Sequence, residues 1–168
     1  MKRIMIFTLG VLAAGCASYD GRGLVAGQST LSDVEKTMGR AAEKRPAPGG
    51  ETVYYFPQLP WGYATYAARI GSDGRLIAFE QRLTEDNIAK LTPGATRAQE
   101  VRDLLGPPFE PMKQRLTGNE IWTYPMRIGG HPTPKWFLAH ISPDGVLREK
   151  HIIDDPNWDR RDSNAPPH

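Results

Sequence analysis

The sequence predicts an α+β fold of two tandem repeats, each with one or two helices packed on a three-stranded antiparallel sheet. Three observations predict it. A capped amphipathic helix in residues 91–107, LTPGATRAQEVRDLLGP, has a counterpart in residues 24–40, LVAGQSTLSDVEKTMGR. Each is followed by a short run rich in aromatic and β-branched residues, ETVYY at 51–55 and EIWTY at 120–124. Each repeat then carries an Asp-Gly hairpin turn, Asp73-Gly74 and Asp144-Gly145. The offset between matching features grows from 67 to 69 to 71, so the extra residues fall in loops, as duplication of one unit predicts.

Within 91–107, Thr96 is the expected N-cap, with Gln99 three residues on completing a capping box. Ala98, Val101, Leu104 and Leu105 share one face, and Gly106-Pro107 ends the helix. In the first copy the helix runs over 30–38, with Leu31, Val34 and Met38 inward. Residues 40–50 lack any period and read as a loop, as does the proline-rich stretch from Pro107 up to Gly118-Asn119. Strands are expected at 51–56, 66–70 and 76–83 in the first copy, and at 120–124, 135–141 and 146–153 in the second. A short helix capped by Thr84 opens the second copy at 84–91. The polar residues 156–168 read as a tail, in which Trp158 is a candidate to dock locally. The units are thus residues 24–83 and 84–155.

The amino terminus has a different chemistry. Lys2-Arg3, an apolar run from Ile4 to Leu12 and small residues ahead of Cys16 mark residues 1–15 as an export signal, too short to span a membrane. Ala13-Ala14-Gly15-Cys16 resembles the bacterial lipobox, which implies cleavage before Cys16 and acylation of its thiol, with residues 16–23 as a tether. The competing reading, a secretory signal with an incidental cysteine, would export a lone free thiol into an oxidising compartment. Ala17, in place of an aspartate, implies by the same resemblance the periplasmic face of the outer membrane. Loss of Lys2 and Arg3 leaves 19 basic against 19 acidic residues, down from 21 basic. A formally neutral chain gives no electrostatic basis for nucleic-acid binding.

Catalytic chemistry finds no support. His131, His140, His151 and His168 have no ligand spacing and no cysteine partner, so neither a metal nor another cofactor is expected. Asp154-Asp155 reads as a solvated turn, and no nucleophile elbow, P-loop or dinucleotide fingerprint occurs. The expected binding residues are apolar side chains on the strand connections. These are Leu59, Trp61 and Tyr63 in QLPWGY, and Met126, Ile128 and Trp136 in MRIGGHPTPKWF. Against this stands the alternative that Trp61 and Tyr63 fold back over the sheet. Trp122 and Tyr124 are expected in the core.

Gly94, Thr96, Val101, Leu105, Gly106, Pro107, Trp122 and Tyr124, with the Asp-Gly hairpin, resemble the SmpA/OmlA (BamE-like) family of outer-membrane lipoproteins. The resemblance extends over both repeats and implies a non-enzymatic scaffold or accessory in outer-membrane protein assembly or envelope integrity, with the barrel-assembly machine as partner. Two such units in tandem resemble the β-lactamase inhibitor protein fold, which implies instead a periplasmic module capturing an enzyme on a concave sheet surface. A structural role against lipid headgroups or peptidoglycan is a third expectation. Replacing Cys16 with Ser should move the protein from the membrane to the soluble fraction on cell fractionation; retention in the membrane would overturn acyl anchoring.

Overall fold

Thr30 begins the first helix. Its backbone N–H donates to the Asp33 carboxylate at 2.8 Å, and the Asp33 N–H donates back to its hydroxyl at 3.3 Å. Helix α1, Leu31–Met38, follows and ends at Gly39. This computed structural model describes residues 20–158; the export signal, Cys16, His168 and the tail beyond Trp158 lie outside them.

Two four-stranded antiparallel sheets follow, each in simple sequential order. Sheet 1 contains β1 (Glu43–Pro46), β2 (Thr52–Pro57), β3 (Thr65–Ile70) and β4 (Leu76–Gln81). After α2 (Glu85–Ala89) and α3 (Ala98–Leu105), sheet 2 contains β5 (Phe109–Lys113), β6 (Glu120–Met126), β7 (Lys135–Ile141) and β8 (Leu147–Asp154). The α+β class and the tandem arrangement agree with expectation, but each sheet has a fourth strand where a loop was expected. Both added strands are edges. β1 reads Glu-Lys-Arg-Pro, and β5 carries Pro111 beside a register shift between Phe109 and Met112. Charge and proline suit an edge strand while erasing the apolar alternation that sequence reading relies on.

The cap of α3 also differs. Its N-cap is Arg97, whose N–H donates to the Glu100 carboxylate at 2.6 Å. The Thr96 hydroxyl accepts from the Thr92 N–H at 2.8 Å, and its carbonyl accepts from the Leu147 N–H at 2.9 Å. Ser29 does the same in the first repeat, accepting from Val25 N–H at 2.9 Å and, through its carbonyl, from Leu76 N–H at 2.8 Å. Thr96 therefore matches Ser29, and Arg97 matches Thr30. What the two helix starts share is the carboxylate three residues on. Thr84 caps α2 as expected, accepting from the Asn87 N–H at 3.2 Å.

Helix α1 closes one face of sheet 1 over a core of Val34, Met38, Phe56, Ala68, Ile70 and Leu76. Helices α2 and α3 close one face of sheet 2, where Val101, Leu105, Trp122, Tyr124, Met126 and Phe137 meet. These are the inner faces. Strand pairing corrects the repeat register. Tyr54 lies opposite Ala68 and Phe56 opposite Tyr66, while Trp122 lies opposite Ala139 and Tyr124 opposite Phe137. Tyr54 therefore matches Trp122 and Pro57 matches Pro125, an offset of 68 where the residue match suggests 69. A one-residue slip exchanges the faces of a strand. Tyr55 consequently points to the outer face of sheet 1, although its apparent counterpart Tyr124 is in the second core.

That outer face receives the last turn of α3. Gly39 and Gly106 end their helices with nearly the same backbone, φ 82° with ψ −172° and −170°. This region is essentially reserved for glycine. A Cβ on Gly106 would stand 2.7 Å from Thr65 Cγ2 and 3.0 Å from Tyr55 Cδ1, whereas one on Gly39 would meet nothing within 4 Å. Gly39→Ala should cost about 1–3 kcal/mol from backbone strain alone. Gly106→Ala should cost a further 1–3 kcal/mol, roughly, for overpacking between the repeats. Urea unfolding of the two variants checks this; equal losses would remove the close approach as the reason for Gly106.

Candidate protein-binding surface

The contact between repeats decides which surfaces remain open. Arg102 Nη2 donates to Glu43 at 2.6 Å, and Arg45 Nη1 donates to Asp103 at 2.7 Å. Tyr55 Oη donates to the Asp103 carbonyl at 2.9 Å, joined there by Arg82 at 3.2 Å. The Arg102 guanidinium also lies 5.5 Å from the centre of the Trp122 ring. Burial pushes the Glu43 carboxyl up, but Arg45 and Arg102 hydrogen-bonded to it bring it below the ordinary carboxylate value. Burial pushes both tyrosine phenols, Tyr55 and Tyr124, upward. The Tyr124 hydroxyl is satisfied by donating to the Gly106 carbonyl at 3.1 Å.

The six side chains expected on the strand connections do not form one surface. Trp61 is exposed, at 71 % of its full area. Tyr63 is buried, with the Arg127 guanidinium 5.0 Å from its ring centre; Arg127 also lies 5.7 Å from the Trp158 ring. Trp158 thus docks against the second connection. Leu59 and Ile128 are half-buried against the second core, and Met126 is wholly inside it. The chemical reason is that the first connection folds over the second repeat, so its apolar side chains fill space between the two units. Trp136 is on strand β7, not in a loop, and points to the outer face of sheet 2.

The outer face of sheet 2 carries apolar side chains and has none of the described helices against it. Ile121 and His140 face one another across β6 and β7, as do Thr123 and Leu138, and Pro125 and Trp136. Strand β8 adds Glu149, His151 and Ile153, and β5 adds Phe109 and Met112. Ile121, Trp136 and Leu138 belong to neither core and are half-buried, Thr123 and Pro125 between them are buried, and Met112 and Ile153 are exposed. The Trp136 indole Nε1 is buried without a hydrogen-bond partner among the described residues. Strand pairing also brings together two histidines 11 positions apart in the chain, with the His140 and His151 rings 5.3 Å apart and edge-on. Among the described residues no group of three or more His, Cys, Asp or Glu side chains is arranged to hold a metal ion.

The outer face of sheet 1 beyond α3 is different. It forms a groove of about 370 Å³, floored by Val53, Ala67 and Ala78 and walled by Glu51, Arg69, Glu80 and Arg82. Arg69 pairs with Glu51 at 3.3 Å and Arg82 with Glu80 at 2.8 Å. Of the strand residues on the two outer faces, Trp136 alone is among the binding residues expected from the sequence. Their signal was present in the alternation of Trp136, Leu138 and His140 against Phe137, Ala139 and Ile141. That alternation marks two faces without saying which one is covered.

Glu43 provides a pH test of the inter-repeat contact. Because its folded pKa is lowered, its stabilisation is complete above the ordinary value of 4.5 and disappears as pH falls through the folded value. Glu43→Gln should cost about 1 kcal/mol at neutral pH, the modest figure suiting partly exposed partners. The gap to the unaltered chain should close as the pH drops below 4.5, measured by urea unfolding. A gap independent of pH would show that charge on Glu43 is not the source.

No protein-family model matches the chain, and no curated protein matches it. The SmpA/OmlA resemblance thus stands on the residues quoted for it. Two solved structures match the chain at low similarity. A DUF4309 family protein of Bacillus subtilis shares 18 % identity over 80 % of this chain and 84 % of its own, with a TM-score of 0.31. A candidate beta-lactamase inhibitor protein of Streptococcus mutans shares 11 % over 75 % and 83 %, also with a TM-score of 0.31. At such distances neither bears on function, and the α+β tandem assignment rests on the chain's own sheet topology.

Proposed function

We propose that the chain is a lipid-anchored, non-enzymatic protein-binding module of the bacterial envelope, which captures a partner of the same compartment, an enzyme in the first instance, on the outer face of sheet 2. The observation that carries this reading is that α1, α2 and α3 are all accounted for in the two cores, which leaves Ile121, Trp136, Leu138, Met112 and Ile153 on a four-stranded face without a helix. A sheet face that presents these apolar side chains beside His140, Glu149 and His151 has the composition of an interface. Support for the anchor is the lipobox-like Ala13-Ala14-Gly15-Cys16, and Ala17 supports the outer membrane as its address. Membership of the barrel-assembly machine is a narrower version resting on the SmpA/OmlA resemblance. It requires barrel-assembly subunits to co-purify with the tagged lipoprotein in mild detergent.

A photo-crosslinking amino acid placed at Leu138 in living cells should give one discrete adduct, and the same residue placed at Lys36 on α1 should give none. Leu138→Asp should abolish partner retention while the chain still folds, at a cost of about 1–3 kcal/mol in urea unfolding, since the side chain is half-buried on an inner strand but outside both cores. Identical adducts from both positions would overturn the assignment of this face.

A further inference from the structure

Strand β8, Leu147–Asp154, is the last strand of sheet 2. At its start the outer edge is used, because Leu147 donates to the Thr96 carbonyl at 2.9 Å and accepts from the Gly94 N–H at 2.7 Å. Beyond Leu147 no strand among the described residues adjoins it. Open edges are normally guarded against pairing with another chain by charged side chains, proline or irregularity. β1 ends in Pro46, and β5 has Pro111 within a register shift. β8 has a register shift only at its start, where His140 pairs with Glu149 and Ile141 with Leu147; beyond it there is no proline as far as Asp154, and Ile152 and Ile153 are 47 % and 41 % exposed. Its charged side chains are engaged within the chain, Arg148 with Asp144, Glu149 with His151 and Asp154 with Lys135, and Lys150 is occupied as well. The Lys150 ammonium donates to the Ile88 and Leu91 carbonyls at 3.1 and 2.7 Å, closing the end of α2.

A groove of about 540 Å³ lies between α2 and this edge. Ile88, Phe137 and Ile152 supply its apolar lining, and Glu85 and Asp86 stand on the helix side. Neither carboxylate has a hydrogen-bond or ion-pair partner among the described residues. We propose that the open edge of β8 binds an extended segment of another protein as a fifth strand of sheet 2, with a large apolar side chain in the groove and a basic residue toward Glu85 and Asp86. Backbone hydrogen bonds along the edge supply affinity, and the groove selects the side chain. This site is distinct from the outer face of the sheet, since Lys150 and Ile152 belong to the inner side, opposite Ala139 and Phe137.

The test uses the full mature chain carrying Cys16→Ser and an end-blocked peptide, Lys-Thr-Val-Thr-Phe-Thr-Val-Thr-Lys, whose apolar residues share one face when extended. Calorimetry should show saturable binding, and amide exchange should slow along residues 148–154. Ile152→Asp should weaken binding about tenfold through lost apolar burial. The pair Glu85→Gln and Asp86→Asn should weaken it about threefold, and only at low salt. Leu138→Asp should leave it unchanged, which separates failure of this site from failure of the outer-face reading. The proposal is overturned by absence of saturable binding at millimolar peptide, or by equal binding of the same peptide with prolines in place of its valines. Protection centred on the outer face, or a peptide-independent dimer protecting the same amides, would overturn it equally.

Discussion

Helix α3 serves two sheets at once, and the arrangement of the chain depends on that. Val101 and Leu105 point into the second core, while Arg102, Asp103 and Gly106 meet the outer face of sheet 1. A three- or four-stranded sheet with a single helix on one side is marginal alone, because its second face stays wet. The core under α1 has only six buried residues against twelve under α2 and α3, one of which is Leu83 of the first repeat. The stability of the first repeat therefore leans on the neighbouring unit. The ions at this junction provide direction more than energy. Glu43 and Arg45 alternate in sign along β1, as do Arg102 and Asp103 along α3, so only one register pairs both.

Much of this was legible in the sequence, and the failures have physical causes. The helices, six of the eight strands and both hairpins follow from capping residues, alternation and Asp-Gly turns, which act over a few neighbours. Strands β1 and β5 did not announce themselves, since an edge strand gains from charge and proline what an inner strand gains from apolar alternation. The offset of 69 in place of 68 is a subtler failure. Tyr55 and Tyr124 are the same residue type after a similar lead, and composition has no access to the face on which a side chain points. Only the pairing of Pro57 with Thr65 and of Pro125 with Trp136 reveals the true correspondence.

The binding residues were less legible than the fold for a related reason. Met126, the last residue of β6, and Ile128 beside it pack on the core of their own repeat, but Leu59 and Tyr63 lie in the first strand connection, where apolar side chains in an isolated repeat would have to be exposed. In a tandem pair the connections of one unit border the other, so the same residues become interior. Arg127 between Tyr63 and Trp158 shows how far this goes, since it joins the first connection, the second connection and the start of the tail through two aromatic faces. Trp61 alone of the first group retains an exposed surface. A loop rich in aromatics thus indicates contact, and the contact here is largely internal.

Comparing the two outer faces position by position shows what the second is suited to. Where sheet 1 has Glu43, Arg45 and Thr65, the corresponding positions of sheet 2, set by strand pairing, hold Phe109, Met112 and Trp136. Ala67 corresponds to Leu138 and Arg69 to His140. The first set is small or charged and accommodates a helix end whose backbone comes within contact of Thr65 and Tyr55. The second set is large and apolar, and Trp136 would fill the space into which a helix end such as that of α3 would have to enter. A further unit of this chain, stacked by the same operation, would lose both ion pairs and collide with the indole. The second outer face is therefore not a vacant copy of the first. Its chemistry favours a partner that presents apolar side chains at a greater distance, without the close backbone approach that Gly106 makes possible between the repeats.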